Sequence, residues 1–200
     1  CGYGSSARAG VFFDKNLTMD GGPAAVFGYW EGMDDLEAHR AVLSFAEEWA
    51  RERGALRLYG PINFSTYYAY RIRTEGFLDE PPFPGECYNP KYYQGILESL
   101  GFQMRESYLS LRPNDYAFPA FEKIGSSTEA KLNAAGLRAL VMTPEYWLEN
   151  RPKIFPVFQA TWEDNLGYVP IPYETFYSVY DEKVTKKIDP HLSIVVHDEN

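Results

Sequence analysis

Between residues 24 and 59 the chain reads as strand, helix, strand with little between them, and that order restricts the fold more than any other feature. Ala24 to Trp30 is an apolar run of strand length. Asp34-Asp-Leu-Glu37 then offers an N-cap with a carboxylate three residues on. Leu36, Leu43, Ala46 and Ala50 recur at helical spacing until Gly54 stops the helix. Leu56-Arg-Leu-Tyr59 follows at once as a short strand ending at Gly60-Pro61. A strand, a crossover helix and a second strand imply parallel pairing through a right-handed connection. Upstream, Ala7 to Phe13 and the turn cluster Asp20-Gly-Gly-Pro23 add an antiparallel hairpin partner. The expected class is therefore α/β (α+β), a mixed sheet flanked by helices.

Beyond Tyr59 the periodicity lapses. Ile62 to Tyr88 reads as a long loop rich in Phe, Tyr, Pro and Gly, and its aromatic content favours ordered packing. Asn89-Pro90 caps a helix whose face runs through Tyr93, Ile96, Leu97 and Leu100 to Gly101. Gln103 to Leu111 alternates as a strand would. We place a first lobe at 1–115, a connector with a short polar helix at 116–136, and the start of a second lobe at 137–200. In the second lobe Leu137 to Met142 is a strand, and a helix opening at Thr143-Pro144-Glu145 is disturbed by Pro152 and Pro156. A further helix carries Phe176, Tyr177, Tyr180, Val184 and Ile188 to Pro190, and Leu192 to Val196 is the last strand. The chain opens at Cys1 without an initiator Met and stops where a strand runs into a turn, so a segment of a longer protein is expected.

Composition excludes several classes. With 45% apolar and 24% charged residues the chain is an ordinary globular one, and its 200 residues suffice to bury a core without staples. Nineteen Lys and Arg against 28 Asp and Glu leave a net charge of −9, which speaks against general nucleic-acid or anionic-membrane binding. An anionic ligand must find a local pocket. Two cysteines, Cys1 and Cys87, make no disulfide framework or zinc set, so a reducing cytoplasm is the default location. No apolar run of about 18 residues is present, so no membrane span is expected. Aromatic residues reach 16%, a supply suited to sheet-facing cores and to the walls of organic-ligand clefts.

Searches for familiar chemistry return little. His39, His191 and His197 form no metal-ligand spacing, and Gly-x-Ser-x-Gly, His-Glu-x-x-His and Cys-x-x-Cys are absent. No metal is expected. Glu86 beside Cys87 would raise a thiol pKa rather than lower it, which fits an ordinary free thiol. Asp34 and Asp35 sit where acids complement a helix dipole. The segment Tyr59-Gly-Pro-Ile-Asn-Phe-Ser-Thr66 leaves the carboxyl edge of a parallel strand, where open α/β folds put ligands. Asn63, Ser65, Thr66 and Tyr67 there can line a cleft, or can satisfy their own backbone through local turns; the two readings weigh equally. Trp162 and Asn165, in Trp162-x-x-Asn-x-Gly-Tyr-x-Pro170, read as a site wall or, with more weight, as a helix stop with aromatic packing.

Several of these runs together resemble a known group. Phe27-Gly-Tyr-Trp-Glu-Gly-Met-Asp-Asp35, Glu48-Trp-Ala-Arg-Glu-Arg-Gly54, Gly60-Pro-Ile-Asn-Phe-Ser65, Gly76-Phe77, Tyr88-Asn-Pro-Lys-Tyr-Tyr93 and Leu100-Gly-Phe102 are similar to bacterial tandem-domain proteins of the GNAT-type N-acyltransferase superfamily. In that group a second domain opens as Trp162 to Pro170 does here and continues to Asp189-Pro190 before a strand. The resemblance covers nearly the whole chain. It implies a GNAT-like mixed sheet, with acyl-CoA (acetyl-CoA) as co-substrate and a small-molecule amine as acceptor. It also implies that the strand at 24–30 splays to admit the pantetheine arm and present amides to the thioester oxygen.

Two departures from the group's pattern qualify that expectation. The superfamily's phosphate loop, Gln/Arg-x-x-Gly-x-Gly/Ala, should precede the first long helix, but Glu31-Gly-Met-Asp-Asp-Leu-Glu37 stands there. Like charges a few ångströms apart in a partly buried site outweigh the attraction of a helix dipole, so acyl-CoA phosphates are not expected on this segment. The Tyr that protonates the leaving thiolate in many members falls at Leu97, with Tyr92 and Tyr93 one turn earlier. The reading is an N-acyltransferase-like protein with a degenerate first lobe: Glu31 as candidate base, Tyr92 and Tyr93 as candidate acids, and Asn63, Ser65 and the nearby tyrosines lining an acceptor or acyl cleft. The second lobe's phosphate loop would lie after Asn200. The alternatives are a non-catalytic ligand- or partner-binding lobe and, least in keeping with the charge, a relative that uses aminoacyl-tRNA. A homodimer is compatible with all three.

Overall fold

The computed structural model describes residues 6–77, 85–112 and 114–198. Strands β1 (Ala7–Met19) and β2 (Gly22–Gly32) form an antiparallel hairpin with irregularities between Arg8 and Gly10 and between Phe13 and Thr18. Helix α1 (Leu36–Glu52) crosses to β3 (Arg57–Tyr59), which pairs parallel to β2 through Ala24–Arg57, Ala25–Leu58 and Val26–Tyr59. The three strands lie in the order β1-β2-β3. Helix α2 (Tyr92–Ser99) follows the loop.

The expected helix start is present one residue later than the spacing implied, with Asp35 as the cap in place of Asp34 and Glu37 paired with Arg40. Asp35 adopts an extended backbone and its Oδ1 accepts from the Glu37 and Ala38 amides at 3.1 Å each, satisfying two of the donors that a helix N-terminus leaves open. His39, Leu43, Ala46 and Ala50 are the buried face of α1. The main core joins Phe27, Trp30 and Leu43 to Tyr93, Ile96 and Leu97 of α2.

The chain divides into two compact units, one comprising Cys1–Tyr108 and Glu163–Val169, the other Leu109–Trp162 and Pro170–Asn200. The second unit holds α3 (Ala117–Ala134), β4 (Leu137–Val141), α4 (Pro144–Trp162), α5 (Tyr173–Val179), α6 (Glu182–Thr185) and β5 (Ile194–Asp198). β4 and β5 pair antiparallel. Phe176 is its fully buried centre, ringed by Trp147, Phe155, Phe158 and Tyr180 at centroid distances of 4.9 to 6.2 Å.

Several sequence expectations need correction. Residues 103–111 form no strand: the whole segment is exposed, and alternation supplies no hydrogen-bonding neighbour by itself. Asn89 does not cap α2; Lys91 precedes that helix without a side-chain cap bond, and Asn89 instead binds the Arg73 backbone through both ends of its amide. The single helix expected over 176–188 is two, because Asp181 turns inward to cap the amides of Lys183 and Val184. α4, by contrast, runs unbroken through Pro152 and Pro156. A proline in a helix interior costs about 3 kcal/mol, and the packing of Trp147, Phe155 and Phe158 on Phe176 offsets it.

Candidate functional site

The site expected from sequence lies in the first unit, where β2 leaves the sheet toward α1 and the chain after β3 turns back across it. The turn is tight. The Ile62 amide donates to the Phe27 carbonyl at 2.7 Å, so pairing with β2 continues past Gly60-Pro61. A Cβ on Gly28 would lie 2.2 Å from the Ile62 carbonyl oxygen, and one on Gly60 would lie 2.6 Å from the Phe27 oxygen. Only glycine permits that approach.

Asn63 completes the closure. Its Oδ1 accepts from the Tyr29 amide at 2.6 Å, and its own amide donates to the Ala69 carbonyl at 2.9 Å. Both Tyr29 and Phe64 hold positive φ, at 47° and 67°, and their rings meet edge to face above Phe12. Such strained non-glycine positions persist only where neighbours fix them. One amide of the strand that the resemblance would splay toward a thioester is thus occupied by a side chain. Ser65 and Thr66 are buried, with Ser65 Oγ accepting from the Tyr67 amide at 3.4 Å and Thr66 Oγ1 enclosed without a hydrogen-bond partner. Gly167 packs close to Ile62 and Thr66, and Tyr67 faces Tyr168 at 6.1 Å.

A second cluster surrounds Gly32. The Tyr92 hydroxyl donates to the Gly32 carbonyl at 2.8 Å, and the Gly32 amide donates to the Tyr93 hydroxyl at 3.1 Å. Burial pushes the Tyr93 phenol up from its ordinary pKa, against a lowering bond from Gly32, so it holds its proton at neutral pH. Beneath them His39 is fully buried: Trp30 Nε1 donates to its Nδ1 at 2.9 Å, and its Nε2 faces the Met33 carbonyl at 2.9 Å. Accepting at Nδ1 assigns the proton to Nε2. Glu31 forms an exposed pair with Arg8, whose Nε and Nη2 both reach its Oε2. A shallow groove of about 300 Å³ lined by Asp34, Leu36, Tyr92, Gly95, Ile96 and Ser99 borders the cluster.

The predicted residues therefore fall into separate places. Tyr92 and Tyr93 meet at Gly32; Asn63, Ser65, Thr66 and Tyr67 lie in the loop after β3; Glu31 is on the exposed end of β2. Asn165 belongs to the first unit, where its carbonyl accepts from the Tyr168 amide at 3.0 Å. Trp162 closes α4 in the second unit, stacked on Phe158 at 5.2 Å. Cys87 Sγ bonds the Tyr70 and Arg71 carbonyls, and burial raises its thiol pKa. No group of three or more His, Cys, Asp or Glu able to hold a metal occurs among the described residues, and none of their helices is long and apolar enough to cross a membrane. Sequence reasoning placed His39 on a helix but not in this network, whose signal was the aromatic Trp30 nine residues ahead.

The chain is similar to Protein YghO of Escherichia coli (strain K12), with 24% identity over 159 residues that make up 78% of this chain and 39% of that protein. It thus spans about two-fifths of the length of the curated relative it matches. No protein-family profile matches the sequence, and no solved structure matches it.

Proposed function

We propose that the chain belongs to a GNAT-like N-acyltransferase that moves an acyl group from acyl-CoA to an amine, and that its first unit is a lobe that binds no CoA phosphate and stands on the acceptor side. The observation that carries this reading is the start of α1. Asp35 places a carboxylate on the helix's first free amides, with Asp34 beside it, so a diphosphate would meet negative charge where the superfamily offers bare N–H donors. The hairpin, crossover helix and parallel strand have the order that the resemblance implies, which supports the fold assignment. Asn63 on the Tyr29 amide supports a donor site outside this unit. The groove bordered by Tyr92 is where an acceptor amine would sit, with Tyr93 as its uncharged neighbour.

A second reading is a ligand- or partner-binding lobe without chemistry. It draws on the fact that Glu31, Asn63 and Ser65 all direct polar atoms to partners within the protein. One measurement tests the phosphate-free lobe, and a second separates the readings. In a thermal-shift assay the 200-residue chain should gain nothing from CoA or acetyl-CoA, whereas a ligand at about 100 times its Kd would add about 2.7 kcal/mol. Protection of the wild-type chain by acetyl-CoA, strengthened in Asp35→Arg, would place the phosphates at this helix start and overturn the phosphate-free lobe. In the complete protein, release of free CoA thiol from acyl-CoA on addition of primary amines is expected, and its absence across short and long acyl chains would favour the second reading.

A further inference from the structure

The second unit contains a buried arginine with no acidic partner among the described residues. Arg151 is 6% exposed, yet it forms no ion pair with any described carboxylate. Its guanidinium lies over the Tyr177 ring at 3.4 Å from the centroid, and Nε reaches the Leu148 carbonyl at 3.4 Å. That carbonyl is available because Pro152, four residues on, has no amide to donate to it. Ring and carbonyl hold the side chain and leave both terminal nitrogens without a hydrogen-bond acceptor among the described residues. Buried arginines are ordinarily paired, since an isolated charge removed from water is costly.

A second donor on the same helix lacks a partner. Trp147 precedes Arg151 by one turn, so the two share a face of α4. Its indole Nε1 is enclosed with no hydrogen-bond partner, and its ring packs on Phe176 and Tyr180. Buried donors left open in a folded protein call for an explanation, and an acceptor that carries negative charge would answer both donors, which lie one helical turn apart.

We infer that Arg151 and Trp147 form a binding site for an organic monocarboxylate, with Tyr177 and Tyr180 as walls. Guanidinium edges match a carboxylate in geometry. One positive charge among aromatic rings balances one negative charge; a dianion would keep a surplus charge in apolar surroundings. The carboxylate enters at the guanidinium and reaches the indole after a side-chain rotation of the kind common on binding. The site is independent of the acyl-transfer reading.

The test uses the whole 200-residue chain labelled with 15N, titrated with benzoate, octanoate and inorganic phosphate. Benzoate and octanoate should move the Trp147 indole N–H resonance downfield in a saturable way and raise the melting midpoint, with phosphate much weaker. Arg151→Leu should weaken carboxylate binding at least about tenfold, and Arg151→Lys should restore part of it. The wild-type indole signal stands as a readout even if Arg151→Leu fails to fold. An unmoved Trp147 resonance at tens of millimolar benzoate, undiminished binding in a folded Arg151→Leu, or a preference for phosphate over both carboxylates would each overturn the assignment.

Discussion

Gly28→Ala is expected to cost the first unit about 4 kcal/mol or more, enough to unfold a domain of ordinary stability. The added methyl would sit 2.2 Å from the Ile62 carbonyl oxygen and 2.7 Å from Asn63 Oδ1. Neither neighbour is a loose side-chain end: Ile62 is bonded to Phe27, and Asn63 to Tyr29 and Ala69. Relief requires breaking the continuation of β2 pairing, which leaves buried polar groups open at about 1–3 kcal/mol each. Gly95→Ala is the internal control, since nothing lies within 4 Å of the position on α2 and alanine in a helix gains about 0.5–1 kcal/mol over glycine. Urea midpoints for the two variants should move in opposite directions. A Gly28→Ala protein within 1 kcal/mol of wild type would mean that the loop after β3 does not cross β2 this closely.

His39→Leu should be nearly as damaging, by about 3 kcal/mol. Leucine fills much of the imidazole's volume but accepts nothing from Trp30 Nε1 and donates nothing to the Met33 carbonyl, leaving two groups unpaired around a residue with no solvent exposure. Trp30 also loses its edge contact at 4.9 Å, so its fluorescence should shift to the red before global unfolding. His39→Gln, which retains a donor and an acceptor, should recover part of the loss. Equal stability for Leu and Gln would show that packing alone holds the position.

What the sequence disclosed and withheld follows from the range of each signal. The hairpin, α1 and the parallel β3 rest on spacing and turn residues within about 20 positions, and they were readable for that reason, although the cap falls at Asp35, one residue beyond the expected one. The face of α2 was equally plain, as Tyr93, Ile96 and Leu97 recur at helical intervals and are buried. Asn63 showed itself only as a polar loop residue, because its partner is the Tyr29 amide 34 residues upstream and no local pattern encodes that meeting. Residues 103–111 alternate like a strand, yet alternation describes two faces and not an edge to join. Arg151 passed unnoticed for a related reason. Its spacing from Trp147 marks a shared helix face, but the missing acid becomes visible only when the surroundings are known. The GNAT-like assignment rests on combined motif order and remains the proposal that the acyl-CoA measurements address.

The tip of the β1–β2 hairpin has a consequence for how the unit responds to its medium. Asp20 receives Arg105 through two nitrogens, the Tyr59 hydroxyl at 2.7 Å and Arg57 at 3.5 Å, and the Arg105 bond foremost holds its carboxyl below the usual range. A depressed carboxyl contributes stability above its unfolded pKa and loses it as pH falls through the folded one. That charge ties the stretch after α2 to the hairpin tip, beside the ring contacts of Phe102 with Phe27 and of Tyr108 with Tyr70, and strong acid or concentrated salt would undo the charged tie while the aromatic ones stay shut.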